Sequence, residues 1–149
     1  MKRLFLPLLI TLALALSLPP APAVAQMSKA FDLSQAWAVV HAPVAATQAT
    51  ITKAARAGWR HVATSVTVCT VGVAAQGPIT FNLRDGTTGA GTILWTVTLA
   101  APIGTSACQE SPDLMAAGTS GNALTLESST APAATNFATV SLTGYDVLR

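Results

Sequence analysis

Residues 79–99 constrain the fold more than any other stretch, because apolar and polar residues alternate on both sides of a glycine-rich break at residues 85–91. Leu94 is the one apolar residue in the opposite phase. Two period-two runs around such a break predict a β-hairpin with one buried face. The side chains predicted to face the core are Ile79, Phe81, Leu83, Ile93, Trp95, Val97 and Leu99.

Similar short runs recur along the chain and no segment has helical periodicity. These runs cover residues 37–41, 47–53, 59–73, 122–128 and 137–148. Short strands separated by turn residues predict an all-β protein, a single antiparallel β-sandwich of jelly-roll or immunoglobulin-like type with about seven or eight strands. The sandwich domain is predicted to span residues 37–149.

Three segments carry more detailed expectations. Residues 59–73 change phase midway, which predicts a central strand with a bulge or bend, and Gly144 marks a similar change in the last strand. In residues 122–128 the leucines are expected to point inward and Thr125 and Glu127 outward. Residues 100–117, which contain Pro102, Gly104 and Pro112, predict a long irregular connection between sheets.

The first 25 residues have the pattern of a cleaved signal peptide. Lys2 and Arg3 precede an apolar run at residues 4–18, and Ala23-Val24-Ala25 supplies the small residues of a cleavage site. A retained membrane anchor is the alternative, but the run is shorter than the roughly 20 residues that span a bilayer. We therefore expect a secreted or periplasmic bacterial protein that begins at Gln26, with residues 26–36 as an N-terminal arm.

The charge balance excludes several partners. Two of the eight basic residues lie in the leader, so the part after residue 25 has six basic and six acidic residues and no net charge. Such a chain has no electrostatic footprint for nucleic acid or for an anionic membrane. It also has little charge repulsion between copies, which is compatible with a homo-oligomer.

Cys69 and Cys108 are the only cysteines. Exported chains meet an oxidising compartment, so the pair is predicted to form a disulfide. Two buried free thiols are the alternative, since sequence cannot show whether the geometry permits a bond. A metal site would need further ligands, and His41 and His61 lack a metal-binding spacing relative to each other. We predict neither a metal nor another cofactor.

Three segments together resemble small bacteriophage and prophage structural proteins of uncharacterised role. They are residues 82–95 (NLRDGTTGAGTILW), 118–127 (GTSGNALTLE) and 140–145 (VSLTGY). The resemblance implies a β-sandwich or jelly-roll fold and transfers no functional residue. The export signal departs from that family, whose members assemble in the cytosol, so the resemblance implies a virion fold reused in an exported protein.

No residue pattern indicates catalysis, and we predict a protein that is not an enzyme. The Gly-x-Ser-x-Gly signature is missing, and His41 and His61 are the only candidate histidine bases. Glu110 and Asp113 fall in the irregular segment, where they could form a carboxylate pair or ligate calcium. Solvated loop charges are the simpler interpretation.

Aromatic residues supply the candidate binding site. Trp37 and Trp59 begin predicted strands and could be exposed, whereas Trp95 is in phase with the core. Two functions follow. The first is an exported structural or interaction module that works through its sheet surface or by self-assembly, with a cell-surface or glycan partner. The second is a small carbohydrate-binding module that stacks sugars on exposed Trp or Tyr rings.

Intact-mass spectrometry of the exported protein tests the predicted leader. We expect the mass of a chain that begins at Gln26, because signal peptidase cleaves after the Ala23-Val24-Ala25 pattern. A mass that still includes residues 1–25 would contradict this expectation.

Overall fold

The computed structural model describes residues 35–148, which contain nine β-strands and no α-helix. The predicted leader and nearly all of the predicted arm lie outside this range. The strands are β1 (Ala36–Val40), β2 (Thr50–Lys53), β3 (Trp59–Gly72), β4 (Ile79–Asp85), β5 (Thr92–Leu99), β6 (Thr105–Ser111), β7 (Ala116–Ala117), β8 (Leu124–Ser128) and β9 (Phe137–Leu148).

The strands form two antiparallel sheets that pack as a sandwich, which confirms the predicted fold class. Sheet A has the order β1-β9-β3-β6, with β7 also paired to β3, and sheet B has the order β2-β8-β4-β5. An immunoglobulin fold keeps its first two strands in one sheet, but here β1 and β2 lie in different sheets. The first and last strands are neighbours and the chain passes repeatedly between sheets, as in a jelly roll.

The core lies between the two sheets and is filled by the alternate residues of the long strands. Ile79, Phe81 and Leu83 of β4 are buried as predicted. Leu124 and Leu126 of β8 pack with them in the same cluster. Sheet A contributes the opposing layer from β3 and β9: Val66, Val68, Val140 and Leu142.

Ile93 does not face the core, and this part of the hairpin prediction is wrong. Its side chain is 48% exposed. The β4–β5 register shifts between Leu83 and Arg84, so that Leu83 lies opposite Trp95 while Arg84 lies opposite Ile93. Leu94 is the extra residue of this β-bulge and packs against the core in place of Ile93. Trp95, Val97 and Leu99 pack there as predicted, although each is only partly buried.

A bulge in β3 explains the change of phase in residues 59–73. The pairing with β9 shifts between Ala63 and Ser65, so Thr64 is the extra residue. The bulge therefore belongs to β3, and not to β9 at Gly144 as the sequence suggested. Gly144 lies opposite Ala63, and a Cβ atom there would come within 2.6 Å of the Trp37 indole. Only glycine admits this close approach.

The segment predicted as an irregular connection contains β6, which pairs with β3 along its whole length. Alternation is weak in β6 because it is an edge strand whose residues are mostly exposed. Cys108 lies directly opposite Cys69, and the two sulfur atoms are bonded at 2.13 Å. The predicted disulfide is confirmed, but it joins two neighbouring strands and does not tether a loose segment.

Glu127 points away from the core as predicted, yet it is 2% exposed. The β4–β5 loop folds back over the outer face of sheet B and covers it. Arg84 Nε donates to Glu127 Oε1 at 2.6 Å, and the Gly89 amide donates to Oε2 at 2.9 Å. Thr125 on the same face donates to the Gly86 carbonyl at 2.8 Å. Outward phase therefore does not mean exposure on this strand.

Replacing both cysteines with serine should lower the melting temperature by several degrees. A native bridge typically stabilises a domain by roughly 2–4 kcal/mol, chiefly by restricting the unfolded chain. Calorimetry of Cys69→Ser/Cys108→Ser beside the unreduced parent protein measures the effect. Thiol titration of the denatured, unreduced parent provides the control, and two free thiols per chain or equal melting temperatures would contradict the prediction.

Candidate functional site

Most of the charged side chains within residues 35–148 lie at one end of the sandwich, which we call the charged end. It is formed by the β2–β3 turn (residues 54–58), the β4–β5 loop (residues 86–91), the β7–β8 loop (residues 118–123) and the last residues of β9. Its charged residues are Lys53, Arg56, Arg60, Arg84, Asp85 and Asp146. Both tryptophans predicted to bind a ligand, Trp37 and Trp59, also lie at this end.

A buried pair of titratable residues lies at the centre of this end. His61 of β3 faces Asp146 of β9 directly across the ladder, and their side chains are 1% and 4% exposed. His61 Nδ1 lies 2.7 Å from Asp146 Oδ1, and Trp37 Nε1 donates to the same oxygen at 2.7 Å. The second ring nitrogen, Nε2, lies 2.8 Å from the Ala54 carbonyl oxygen.

Both ring nitrogens of His61 therefore face hydrogen-bond acceptors. These two contacts engage both nitrogens with atoms of the protein interior. A general base must reach the proton of its substrate, and the side chain of His61 is only 1% exposed. The geometry gives His61 a cross-linking role, in which it ties the β2–β3 turn to β9.

The pKa of Asp146 lies below its usual range despite the burial of its carboxylate. Burial alone raises this pKa, but the hydrogen bond and positive charge of His61 outweigh it, with further contributions from Trp37 and Lys53. Two cations approach the other carboxylate oxygen, Oδ2. Lys53 Nζ lies at 3.6 Å and Arg56 Nη1 at 3.8 Å. Asp146 is thus the common anion of the charged end.

Trp37 and Trp59 are both half-buried, and each has a cation over its ring. Trp37 packs against the core, meets the His61 ring edge-to-face at 6.2 Å, and has Lys53 Nζ 5.4 Å from its ring centre. The Arg56 guanidinium lies 3.8 Å from the ring centre of Trp59. Within residues 35–148 these tryptophans form no open aromatic platform, and ligand binding by them stays a prediction.

A second anion, Asp85, joins two of the loops. Thr119 Oγ1 donates to its Oδ2 at 2.5 Å, which links the end of β4 to the β7–β8 loop. Burial raises the pKa of Asp85, but the hydrogen bonds from Thr119 and the charge of Arg60 help to lower it below the usual value. Polar contacts of Asp85 thus join the end of β4 to the β7–β8 loop.

The other candidate surface is the open edge of sheet B, formed by β5. In the part of the chain that the structure describes, β5 pairs only with β4. Its sequence, TILWTVTL, has neither charge nor proline, and Ile93, Thr96 and Thr98 are exposed. Exposed edges of this kind can pair with a strand of another chain.

The sequence did not reveal the pair of His61 and Asp146. The two residues are separated by 85 positions, and each occupies an inward position of its strand. The sequence pattern changes phase at Gly144 and therefore places Asp146 on the outward side of the last strand, so nothing in the sequence marked this pair. Their contact depends on the β3–β9 register, which the sequence pattern does not specify.

Comparison of the chain with protein-family models, with curated proteins and with solved structures finds no match. The resemblance to phage structural proteins therefore stays a prediction. Within residues 35–148, no helix is long and apolar enough to cross a membrane. No group of three or more His, Cys, Asp or Glu side chains in that range could hold a metal ion.

The stability of the domain should fall in acid because of Asp146 and Asp85. Both pKa values are lower in the folded state than the usual 3.8, so each ionised carboxylate stabilises the fold above about pH 4. That stabilisation is lost as the pH falls through the folded-state pKa. Urea unfolding between pH 6 and pH 2 measures the effect.

The variant Asp146→Asn isolates the contribution of the buried carboxylate. We expect a loss of about 1–3 kcal/mol near neutral pH, because Trp37 and His61 lose the buried carboxylate oxygen that both contact. The variant should also lose less stability on acidification than the parent. The same pH slope in both proteins would contradict this assignment, and Glu110→Gln on the exposed edge strand β6 is the control.

Proposed function

We propose that this chain is an exported, non-catalytic interaction module that assembles with a second copy of itself through β5. The observation that carries the proposal is the unprotected edge of sheet B. β5 is an eight-residue strand of β-branched, aromatic and apolar residues. Pairing of two such edges would extend each four-stranded sheet into a continuous sheet of twice the size.

The other edges are less suited to pairing. β2 has only four residues and includes Lys53, while β6 includes Glu110 and is followed by Pro112. β1 has five residues. Charged residues, prolines, short length and β-bulges are the usual devices that prevent edge-to-edge association. β5 has only the bulge at Leu94, and its pairing is regular from Trp95 to Leu99.

A second copy is the occupant that charge and symmetry favour. The part after residue 25 has no net charge, so two copies meet little electrostatic repulsion. An antiparallel strand pairs with itself around a two-fold axis, which gives a self-complementary interface. Thr96 and Thr98 are exposed on the outer side of this strand. In the proposed dimer they would lie beside the same uncharged residues of the second copy, so no repulsion between like charges would arise.

Two features support export. The first is the leader pattern, and the second is the disulfide between Cys69 and Cys108, since such bonds persist in oxidising compartments. A secreted or periplasmic location is therefore part of the proposal. A carbohydrate-binding module built on exposed aromatic rings has less support, because the tryptophans and Tyr145 are half-buried.

The variant Thr98→Lys tests the proposed assembly. A lysine on β5 places a charge beside the same charge of the second copy, so the variant should be monomeric under conditions in which the parent forms dimers. Sedimentation velocity between low and high micromolar concentrations measures the oligomeric state.

Thr52→Lys is the matched control on the opposite edge of the same sheet. Thr52 Oγ1 lies 3.1 Å from Thr125 Oγ1, and Thr98 Oγ1 lies 2.9 Å from Thr80 Oγ1, so each variant loses one similar contact. We expect Thr52→Lys to dimerise as the parent does. A monomeric parent, or the same dissociation in both variants, would overturn the proposal.

A further inference from the structure

We propose that Lys53 and Arg56, held over Trp37 and Trp59 at the charged end, bind the acidic group of an anionic saccharide. The inference is independent of the assembly through β5, since it concerns a different surface. It rests on the fact that the two cations, Lys53 and Arg56, share a single carboxylate, that of Asp146.

The hydrogen-bonding capacity of Asp146 is largely used by buried partners. Oδ1 receives both the Trp37 indole N–H and the His61 contact, each at 2.7 Å. Lys53 and Arg56 approach Oδ2 only to 3.6 Å and 3.8 Å. These distances allow Coulomb attraction but exceed those of direct hydrogen bonds, so Asp146 does not take up the donors of either cation.

The two cations reach solvent while their shared anion does not. The side chains of Lys53 and Arg56 are 28% and 50% exposed, whereas that of Asp146 is 4% exposed. Lys53 and Arg56 carry two positive charges beside the single negative charge of Asp146. A solvent-borne anion therefore meets a net positive site without competition from an exposed carboxylate of this cluster.

Contacts with the rings and with Gln35 orient the cations before any ligand arrives. The Arg56 guanidinium is stacked 3.8 Å from the Trp59 ring centre, and its Nη1 donates to Gln35 Oε1 at 3.2 Å. A planar guanidinium fixed in this way can offer two parallel N–H groups to a carboxylate or a sulfate. Lys53, 5.4 Å from the Trp37 ring centre, adds a second charge beside it.

A saccharide fits better than a nucleic acid. Nucleic-acid binding accumulates affinity from several phosphate contacts, whereas the cluster around Asp146 offers two cations that reach solvent, Lys53 and Arg56. One acidic sugar unit needs only one charged site, and the solvent-accessible side chains of Lys53 and Arg56 supply it. A membrane surface is the nearest rival, because Leu148, opposite Trp59 in the ladder, is 67% exposed.

Isothermal titration calorimetry with oligogalacturonate, a carboxylate-bearing saccharide, tests the site in the mature protein. Its methyl-esterified form is the neutral control, and a heparin fragment tests a sulfate in place of the carboxylate. We expect binding of at least one acidic saccharide, weakened by salt, and no binding of the ester. Lys53→Gln/Arg56→Gln should bind roughly tenfold or more weakly, as expected for lost charge-assisted hydrogen bonds.

Two further variants separate the effect of the guanidinium geometry from the effect of net charge. Arg56→Lys preserves the charge but not the planar fork, so it should bind with intermediate affinity. Glu110→Gln, which changes the net charge on another strand, should bind as the parent does. Equal affinity in the parent and the double variant, binding of the ester, or binding to phosphatidylglycerol vesicles without saccharide binding would overturn the proposal.

Discussion

The pairing of β3 with β9 is the interaction on which the rest of the structure depends. This ladder runs from Trp59 opposite Leu148 to Val71 opposite Phe137, and it carries β1 on one side and β6 on the other. The bulge at Thr64 lets both halves of β3 direct residues inward despite the change of phase. His61 and Val66 can therefore both face the interior, one for ionic contacts and the other for the core.

The charged end shows how a chain with few charges uses them. Burying a carboxylate is costly unless it is paired and hydrogen-bonded, and Asp146 meets this condition through His61 and Trp37. The same contacts join β1, β3, β9 and the β2–β3 turn at one point. In some proteins, buried ion pairs specify one packing arrangement more than they add to net stability. Here Asp146 also attracts Lys53 and Arg56, at 3.6 Å and 3.8 Å.

The two proposed binding surfaces use different physics and lie on different parts of the sandwich. The β5 edge offers backbone hydrogen-bonding groups and no charge, so it suits a strand of another copy. The charged end offers oriented cations beside aromatic rings, so it suits an acidic group. The β6 edge of sheet A differs from the β5 edge in two respects. A disulfide joins β6 to β3, and β6 carries the charged residue Glu110.

The sequence by itself determined the class of fold, the phase of the main core strands and the partners available for a disulfide, because these follow from local alternation and from composition. Ile93 and Leu94 show the limit: alternation fixes phase only until a bulge, and the bulge is visible only in the register with β4. Glu127 shows a second limit of sequence patterns, because the β4–β5 loop covers this outward-pointing residue. The contact of His61 with Asp146 and the strand status of β6 were decided by long-range pairing, which no local pattern encodes.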